Sequence, residues 1–532
     1  MRVLQVVHGF PPREWAGTEL VTLHLSQALR ARGHQVTVFT RTADPTTREF
    51  SCHEEQMDGL EVVRVVNNYR KAVNLGLLYD STFFTPPFLR LLARLRPDVV
   101  HFQHLQHLSV NLLQLTVALG YPTVLSLHDF FFPCHRIQLL NADDQLCAGP
   151  EHGERCVPCL REVATPEEVR RRFRTMEQAI RGPDVVITPS VFLAQRIRGY
   201  YPFLEEKLRV IPLGVKRVPH VARERPVGAP LRILYVGVLL PHKGAHVLIA
   251  ALKGLPADAV EVSLYGTAVS ARKSYATSLR EEAYGLPVRF HDAYPHDQLI
   301  SILSQHDVLV MPMIWEETFS LLAREAMLAG LPVIAARRGA LPEVIQEGVN
   351  GLLFEPENAA DLRRCLARVI AEPGLLERLR HATPPMKKED EYAREIEELY
   401  AEVCAEPYRT RTLRRRLAEQ YRADSDRQQE SERLRAEIRD FHAQRAVLQE
   451  ERDCLHIAKV AAEQERDRAL AAVRELADTL QMREEQVRAR NTRLEAIYAS
   501  TTWKFYCRYI ALTHSMRQVA NELWRSVRVL RK

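Results

Sequence analysis

The sequence lacks the features that mark membrane-spanning, secreted and fibrous proteins. Its 532 residues contain no apolar run long enough for a transmembrane helix, and the mean hydropathy is −0.23. The apolar start at Met1–His8 is too short for the core of a signal peptide, so we expect the protein in the cytoplasm. A hydrophobic share of 46% excludes a wholly disordered or collagen-like chain. In a reducing compartment, the nine cysteines are expected as free thiols or metal ligands rather than as disulfides.

Glycine and proline are absent from residues 408–532, although the whole chain has 22 glycines and 30 prolines. Turns depend on these two residue types, whereas the interiors of long helices exclude them. The sequence therefore predicts a globular part that ends near residue 405, followed by nearly continuous helix.

Positive charge is concentrated at the C-terminal end of the sequence. The net charge is +6, and residues 501–532 alone carry seven basic residues and one acidic residue, so the rest is close to neutral. A neutral body has no electrostatic footprint for nucleic acid, and we expect no nucleic-acid partner. An anionic membrane surface is the more natural partner of the last segment.

Short apolar strands alternate with amphipathic helices in both halves of the globular part. The first half opens with a strand at Val3–Val7, a helix that Gly33 should end, and a strand at Gln35–Thr40. A proline-rich linker at 216–230 precedes a second such series, which begins with the strand Leu231–Val236. The pattern predicts an α/β protein with two Rossmann-like domains that face each other across a cleft. Ligands of such sheets bind beyond the carboxyl ends of the strands.

Two loops at strand ends have the composition of phosphate-binding loops. Gly17 lies between the first strand and the first helix, and Lys243-Gly244 occupies the equivalent place in the second half. Backbone N–H groups at a helix start, and an ammonium group beside them, suit a diphosphate. The alternatives are a tight turn at Gly17 and a solvated side chain at Lys243.

Residues 315–327, WEETFSLLAREAM, carry two glutamates that suit a nucleotide-sugar. Glu317 is predicted on the loop after a strand, and Glu325 follows about two helical turns later. A carboxylate on the helix can accept hydrogen bonds from sugar hydroxyls, and N–H groups at the helix start can bind phosphate. The N–H groups concerned are those of Phe319, Ser320 and Leu321. The alternative is a helix with charged residues on its solvated face, although the surroundings of Glu325 are apolar.

Together with other motifs, this segment resembles the retaining glycosyltransferases of family 4, which have the GT-B fold. The other motifs are GHQVTV from Gly33, PDVVH from Pro97, PLGV from Pro212, Lys243-Gly244, GLPVIA from Gly330, GALPEVI from Gly339 and NGLL from Asn350. The resemblance covers roughly residues 1–405. The chain departs from the family pattern at Val238 (usually Arg), Ala16 and Ser320 (usually Gly) and Leu213 (usually Asn), and Arg272 or Lys273 could replace the missing arginine.

The resemblance implies an enzyme that transfers a sugar, with retained configuration, from a nucleotide-diphosphate sugar to a hydroxyl of a glycan or lipid-linked glycan. Lys243 would hold the donor diphosphate, which Gly17 would approach from the other domain. Glu325 would bond the ribose, and Glu317 with the following amides would position the transferred sugar. His128, at a strand end, would lie near the reaction centre, unless it is a strand-end histidine satisfied by the protein. No metal is implied for catalysis, and polysaccharide biosynthesis is the expected role.

Two other functions remain open from the sequence. One is a different GT-B enzyme, such as a nucleotide-sugar epimerase. The other is a coiled-coil scaffold whose degenerate domain only binds sugar nucleotides.

Four cysteines in one loop suggest a structural zinc site. Cys134, Cys147, Cys156 and Cys159 have the spacing C-x12-C-x8-C-x2-C in a stretch rich in turn residues. Four thiolates suit tetrahedral zinc, and an iron–sulfur cluster or unligated thiols are the alternatives.

The C-terminal region has a heptad pattern with irregularities. Leu434, Phe441 and Leu448 fall at d positions, but Arg445 and Arg452 fall at a positions. A coiled coil that makes a homo-oligomer is predicted, with a single charged helix as the alternative. Residues 501–532 mix aromatic and basic residues, which is typical of a helix at the inner face of a membrane or of a helix packed on the protein.

The resulting division has six segments. They are an acceptor domain (1–215, with a cysteine-rich insertion at 130–160), a linker (216–230), a nucleotide-sugar donor domain (231–383), a closing helix (384–406), a coiled coil (410–500) and a basic aromatic amphipathic helix (501–532).

Overall fold

A computed structural model describes residues 1–70, 75–220, 226, 228–268, 273–295, 298–372 and 374–405. The predicted coiled coil at 410–500 and the amphipathic helix at 501–532 lie outside the described residues, as do Arg272 and the side chain of Lys273. Residues Met1–Cys404 belong to one compact unit.

The first lobe is built on an eight-stranded sheet in the order β3-β4-β2-β1-β5-β6-β7-β8. All neighbours are parallel except β3 and β4. The strands are β1 Arg2–Val7, β2 Gln35–Thr42, β3 Cys52–Met57, β4 Leu60–Val66, β5 Val99–Phe102, β6 Thr123–Ser126, β7 Val185–Thr188 and β8 Leu208–Val210. The helices are α1 Gly17–Ala31, α2 Thr85–Leu95, α3 Val110–Ala118, α4 Cys156–Cys159, α5 Pro166–Arg181 and α6 Val191–Tyr200.

The second lobe is built on a six-stranded, wholly parallel sheet in the order β11-β10-β9-β12-β13-β14. Its strands are β9 Leu231–Val236, β10 Val260–Tyr265, β11 Val288–His291, β12 Val308–Met311, β13 Val333–Ala336 and β14 Gly351–Phe354. Its helices are α7 Ala245–Leu252, α8 Lys273–Glu282, α9 Leu299–Ser304, α10 Leu321–Leu328, α11 Leu341–Val344, α12 Ala359–Ala371 and α13 Leu375–His381.

The central strands consist mostly of apolar residues, as expected of parallel strands that are covered by helices on both faces. Every residue of β5, β6, β12 and β13 is buried, and the first-lobe core includes Leu4, Val6, Phe39 and Phe102. The prediction of two Rossmann-like α/β domains is confirmed by these sheets. Gly33 ends α1 with a φ of +90°, as expected of a glycine just beyond a helix. The polar edge strand β3 has no apolar pattern and was not predicted.

The last described helix, α14 Glu389–Cys404, follows the second lobe but packs on the first. It lies against α1, and Glu397 accepts hydrogen bonds from Arg32 Nε and pairs with His34 Nε2 at 2.9 Å. The chain passes from the first lobe to the second after Val215 and returns to the first near Lys387. These two segments are in contact, because Val215 N donates a hydrogen bond to Lys387 O at 2.9 Å. None of the described helices is both long and apolar enough to cross a membrane.

Candidate active site between the lobes

Two helix starts face each other where the lobes meet. Gly17 is the first residue of α1, and Leu321 is the first residue of α10. A Cβ placed on Gly17 would lie 3.8 Å from Leu321 Cδ1. The first N–H groups of a helix have no partner within that helix and carry a partial positive charge. The structure thus brings together two of the predicted phosphate-binding loops, one from each lobe.

Lys243 lies beside the Glu317 loop. It ends a short 3-10 turn between β9 and α7, and its Nζ lies 4.4 Å from the centroid of the Trp315 ring. Burial lowers the pKa of Lys243, and the carboxylate of Glu317 opposes that shift. Gly244, with a φ of +75°, permits this approach, because a Cβ there would lie 1.7 Å from Pro312 O. The predicted neighbours Lys243 and Glu317 are therefore in electrostatic contact.

Glu325 lies further along α10 and is half-buried. Burial raises its pKa, whereas the charges of His24 and Lys216 lower it and that of Glu389 raises it. Glu325 in turn helps to raise the pKa of Tyr294 to about 12, an effect that is mainly due to burial of the phenol. The carboxylate thus faces a mixed environment at the junction of both lobes and α14, where it can accept hydrogen bonds.

A buried arginine that sequence reasoning missed shapes the start of α10. Arg324 Nη1 donates to the carbonyls of Phe319 and Ser320, and its guanidinium lies 3.5 Å from the centroid of the Phe319 ring. In a trans peptide the N–H points opposite to the C=O. The N–H groups of Ser320 and Leu321 therefore point away from Arg324 and are available to a ligand. The signal in the sequence was an arginine in an otherwise apolar helix turn.

Ser320 has a backbone conformation that explains why the family usually has glycine here. Its φ is +63°, and its Oγ accepts a hydrogen bond from Ala323 N at 3.2 Å, which caps α10. A side chain costs about 1–2 kcal/mol in the left-handed region, whereas the serine cap contributes about 1 kcal/mol. The two effects nearly offset each other.

This balance predicts opposite outcomes for two substitutions at Ser320. Ser320→Ala keeps the strain and loses the cap, so the free energy of unfolding should fall by about 1 kcal/mol. Ser320→Gly removes the strain and should be at least as stable as the parent protein. Urea unfolding of both variants tests this, and equal destabilisation by the two substitutions would contradict it.

His128 lies two residues beyond β6 at the contact between the lobes. Its backbone carbonyl accepts a hydrogen bond from Thr318 Oγ1 at 2.6 Å, and its Nε2 lies 2.9 Å from Gln103 Oε1. Burial, and then the charge of His104, lower the pKa of His128 to about 4, with Asp129 opposing them. The imidazole is therefore neutral near pH 7. The protein thus satisfies Nε2, and the backbone of His128 contacts the Glu317 loop. A role for His128 at the reaction centre stays a prediction.

A second set of contacts joins α6 of the first lobe to the second lobe. The carboxylate of Glu343 accepts hydrogen bonds from the N–H groups of Val191, at 3.2 Å, and Phe192. Ser190 Oγ donates to Thr318 O at 2.7 Å, and Arg196 Nε donates to Glu316 Oε2 at 3.0 Å. Glu343 stabilises the N-terminal end of α6 across the lobe contact. The sequence did not reveal these partners, because residues 190–196 and 316–343 are far apart in the chain.

Val238 occupies the position at which the family usually has arginine. Its side chain is 40% exposed, and the loop around it is tight, because a Cβ on Gly266 would lie 2.0 Å from Gly237 O. Arg272 and Lys273, the cations that could replace this arginine, have side chains outside the described part of the chain. Their role stays a prediction.

The four cysteines of the insertion are free thiols in one region of the first lobe. Cys134 is buried, and Cys147, Cys156 and Cys159 are half-buried. Burial raises the pKa of Cys156 to about 12, and the other three thiols add to that shift. Gly149 N donates to Cys147 Sγ at 3.4 Å. Within the described ranges, no group of three or more His, Cys, Asp or Glu side chains is arranged to hold a metal ion, so zinc would have to draw these thiols closer together.

The zinc site stays a prediction, which metal analysis tests. The purified full chain should contain about one zinc per molecule, and Cys156→Ser/Cys159→Ser should abolish it, because four thiolates complete a tetrahedral site. Cys365→Ser in the second lobe is the matched control and should keep the metal. A metal-free parent protein would contradict the prediction, and iron with sulfide would identify the alternative cluster.

Comparisons with known proteins relate both lobes to glycosyltransferases. Residues 15–217 match Glycosyltransferase Family 4, and residues 221–385 match Glycosyl transferases group 1. The glycogen synthase of Mycobacterium tuberculosis is 28% identical over 71% of this chain and 88% of its own length. The D-inositol 3-phosphate glycosyltransferase of Corynebacterium efficiens is 34% identical over 37% of this chain and 50% of its own.

Solved structures share the fold. Sucrose-phosphate synthase from Thermosynechococcus elongatus superposes with a TM-score of 0.59 at 20% identity, over 76% of this chain and 98% of that one. Anabaena HepE in complex with UDP-glucose superposes with a TM-score of 0.53 at 18% identity, over 76% and 100%. These findings identify the chain as a glycosyltransferase of GT-B fold, whose first lobe is similar to Glycosyltransferase Family 4 and whose second lobe is similar to Glycosyl transferases group 1.

Proposed function

We propose that this enzyme transfers a sugar, with retained anomeric configuration, from a nucleotide-diphosphate sugar to a hydroxyl of a glycan or lipid-linked glycan in polysaccharide biosynthesis. The observation that carries the proposal is the meeting of the α1 and α10 helix starts, next to the loop on which Glu317 interacts with the Lys243 ammonium. Relatives in both comparisons support the donor class, because one is named a glycogen synthase and another holds UDP-glucose.

An anion between the lobes would offset the positive potential of this gap. Two helix dipoles point their positive ends into it, and the Lys243 ammonium lies nearby. A diphosphate carries matching charge and can accept hydrogen bonds from N–H groups at the starts of both helices. As the glycosidic bond breaks, more negative charge collects on the leaving diphosphate, so these groups stabilise the transition state more than the ground state.

The chemistry needs no enzyme nucleophile. The acceptor oxygen forms a bond to the anomeric carbon while the bond from that carbon to the phosphate oxygen breaks. The acceptor proton passes to the departing diphosphate, which is itself a base. In this scheme Glu317 and the amides of Phe319, Ser320 and Leu321 position the sugar, Glu325 bonds the ribose, and His128 contacts the sugar from the first lobe.

A screen with the full chain tests the function. Thermal stabilisation by a panel of nucleotide-diphosphate sugars identifies the donor, since a ligand at about 100 times its Kd adds about 2.7 kcal/mol. Turnover with that donor and glycan acceptors should give a product with the donor's anomeric configuration by NMR. An inverted product would contradict retention. A free epimerised sugar nucleotide would identify an epimerase, and binding without turnover would identify a scaffold.

We further propose that the C-terminal region assembles and locates the enzyme. The heptads of residues 410–500 support a homo-oligomeric coiled coil, and the basic aromatic residues 501–532 support contact with the inner face of an anionic membrane. Sedimentation should show an oligomer. Vesicles with anionic lipid should bind the full chain, whereas neutral vesicles should not. A monomer, or equal binding to both vesicle types, would contradict the proposal.

A further inference from the structure

A buried chain of hydrogen bonds runs from α14 to the cleft histidine. Tyr400 on α14 accepts from Gln5 Nε2 at 3.1 Å, and Gln103 Nε2 donates to Gln5 Oε1 at 3.1 Å. Gln103 Oε1 then lies 2.9 Å from His128 Nε2. The side chains of Tyr400, Gln5 and Gln103 are fully buried. Water therefore does not offer them alternative partners. Gln103 Nε2 also lies 3.3 Å from Nδ1 of His101, a ring that is itself bonded to the Tyr400 hydroxyl.

The donors and acceptors of this hydrogen-bond chain determine which nitrogen of His128 carries the proton. Because Gln103 uses its Nε2 toward Gln5, it presents an acceptor oxygen to His128, whose Nε2 must then carry the proton. At the other end, Tyr400 accepts from Gln5, so its own proton is free for His101 Nδ1 at 2.7 Å. His101 Nε2 completes the network with Ser126 Oγ at 2.8 Å.

We infer that Tyr400 is a positioning residue for His128: through Gln5 and Gln103 it fixes the proton on Nε2 and leaves Nδ1 as a hydrogen-bond acceptor for a substrate hydroxyl. The inference rests on the proposed function only for the identity of the substrate. It gives α14 a part in the site, although this helix follows the donor lobe in the chain. A neutral ring is required, and burial keeps the pKa of His128 low, at about 4. The titratable groups around that ring are His8, His101, His104 and Asp129.

Tyr400→Phe tests the positioning role against a matched control on the same helix. Tyr392 is also buried on α14, but its hydroxyl has no partner in the described part of the chain. Tyr400→Phe should lower kcat about tenfold, the effect of one lost hydrogen bond, with little change in the donor KM. Tyr392→Phe should change neither. Equal losses in the two variants would overturn the inference.

A spectroscopic measurement separates this inference from the function. In the full chain labelled with 15N-histidine, the His128 signals are assigned by their loss in His128→Asn. They should show a neutral ring with the proton on Nε2 in the parent protein, and a mixture of tautomers in Tyr400→Phe. No substrate is needed, so the result stands even if the enzyme uses another reaction. A proton on Nδ1, or an unchanged tautomer in Tyr400→Phe, would overturn the inference.

Gln103→Glu provides a second variant in case Tyr400→Phe does not fold. The carboxylate still accepts from His128 Nε2, but its charge raises the pKa of His128. Since protonated His128 cannot accept through Nδ1, the acidic limb of the kcat–pH profile should move to higher pH. An unmoved limb would contradict the role of the network.

Discussion

Replacement of Lys243 by alanine is expected to lower kcat/KM for sugar transfer by about 10²–10³-fold, the usual cost of removing one group that stabilises a developing negative charge. The ammonium is buried against Trp315 and interacts with Glu317, on the loop that leads to α10, where water screens charge poorly. Most of the loss should appear in kcat, because the charge on the diphosphate is greatest in the transition state. Steady-state kinetics with the identified donor measure it.

Two controls and a pH profile sharpen this test. Lys253→Ala removes an exposed lysine of the same lobe and should leave kcat/KM unchanged. Burial lowers the pKa of Lys243, so its ammonium loses its proton at a lower pH than that of an exposed lysine. The kcat/KM of the parent enzyme should therefore begin to fall below the usual pKa of lysine. Lys243→Arg should lose that alkaline limb, since a guanidinium stays charged. An active Lys243→Ala enzyme would refute the assigned role.

Gly244→Ala is expected to destabilise the second lobe by at least about 3 kcal/mol, through strain at positive φ and overlap with a neighbouring loop. The new Cβ would lie 1.7 Å from Pro312 O, so either the Lys243 turn or the residues leading to Glu317 must move. Donor binding should be lost as well, because both loops carry predicted donor contacts. Chemical unfolding and the thermal shift with donor measure the two effects.

Gly285→Ala is the matched control for Gly244→Ala. Gly285 has nearly the same φ, +77°, but a Cβ there meets nothing within 4 Å. This variant should lose only about 1 kcal/mol, the cost of the backbone conformation alone, and should bind donor normally. If the two variants were equally stable, the close approach of Gly244 to Pro312 would not restrict the site.

The sequence predicted the parts of the structure that depend on local pattern. Apolar runs gave the central strands, and the glycine and lysine after β1 and β9 lie at the loops where Rossmann-like sheets bind ligands. A helix was expected to start soon after Glu317, with Glu325 about two turns along it; α10 starts at Leu321, so Glu325 lies only about one turn from its start. Each of these signals lies within about a dozen residues of the chain.

The partners that fix the site are distant in sequence, so no local pattern indicates them. Tyr400 bonds Gln5 across 395 positions, and Ser190 meets Thr318 across 128. The sequence alone does not distinguish a buried arginine such as Arg324 from a solvent-exposed one. The edge strand β3 was missed because its residues, CHEEQM, are polar and mostly exposed, so only pairing with β4 makes it a strand.

Because α14 packs on the first lobe, the chain beyond residue 405 is attached to that lobe and not to the second. The chain passes between the lobes at two segments, near Val215 and Lys387, which lie side by side. Together they can serve as one hinge. Residue 405 leaves from a helix bound to the first lobe. If residues beyond 405 bind a membrane, as proposed above, they would hold the first lobe there, and the second lobe would be the part that moves.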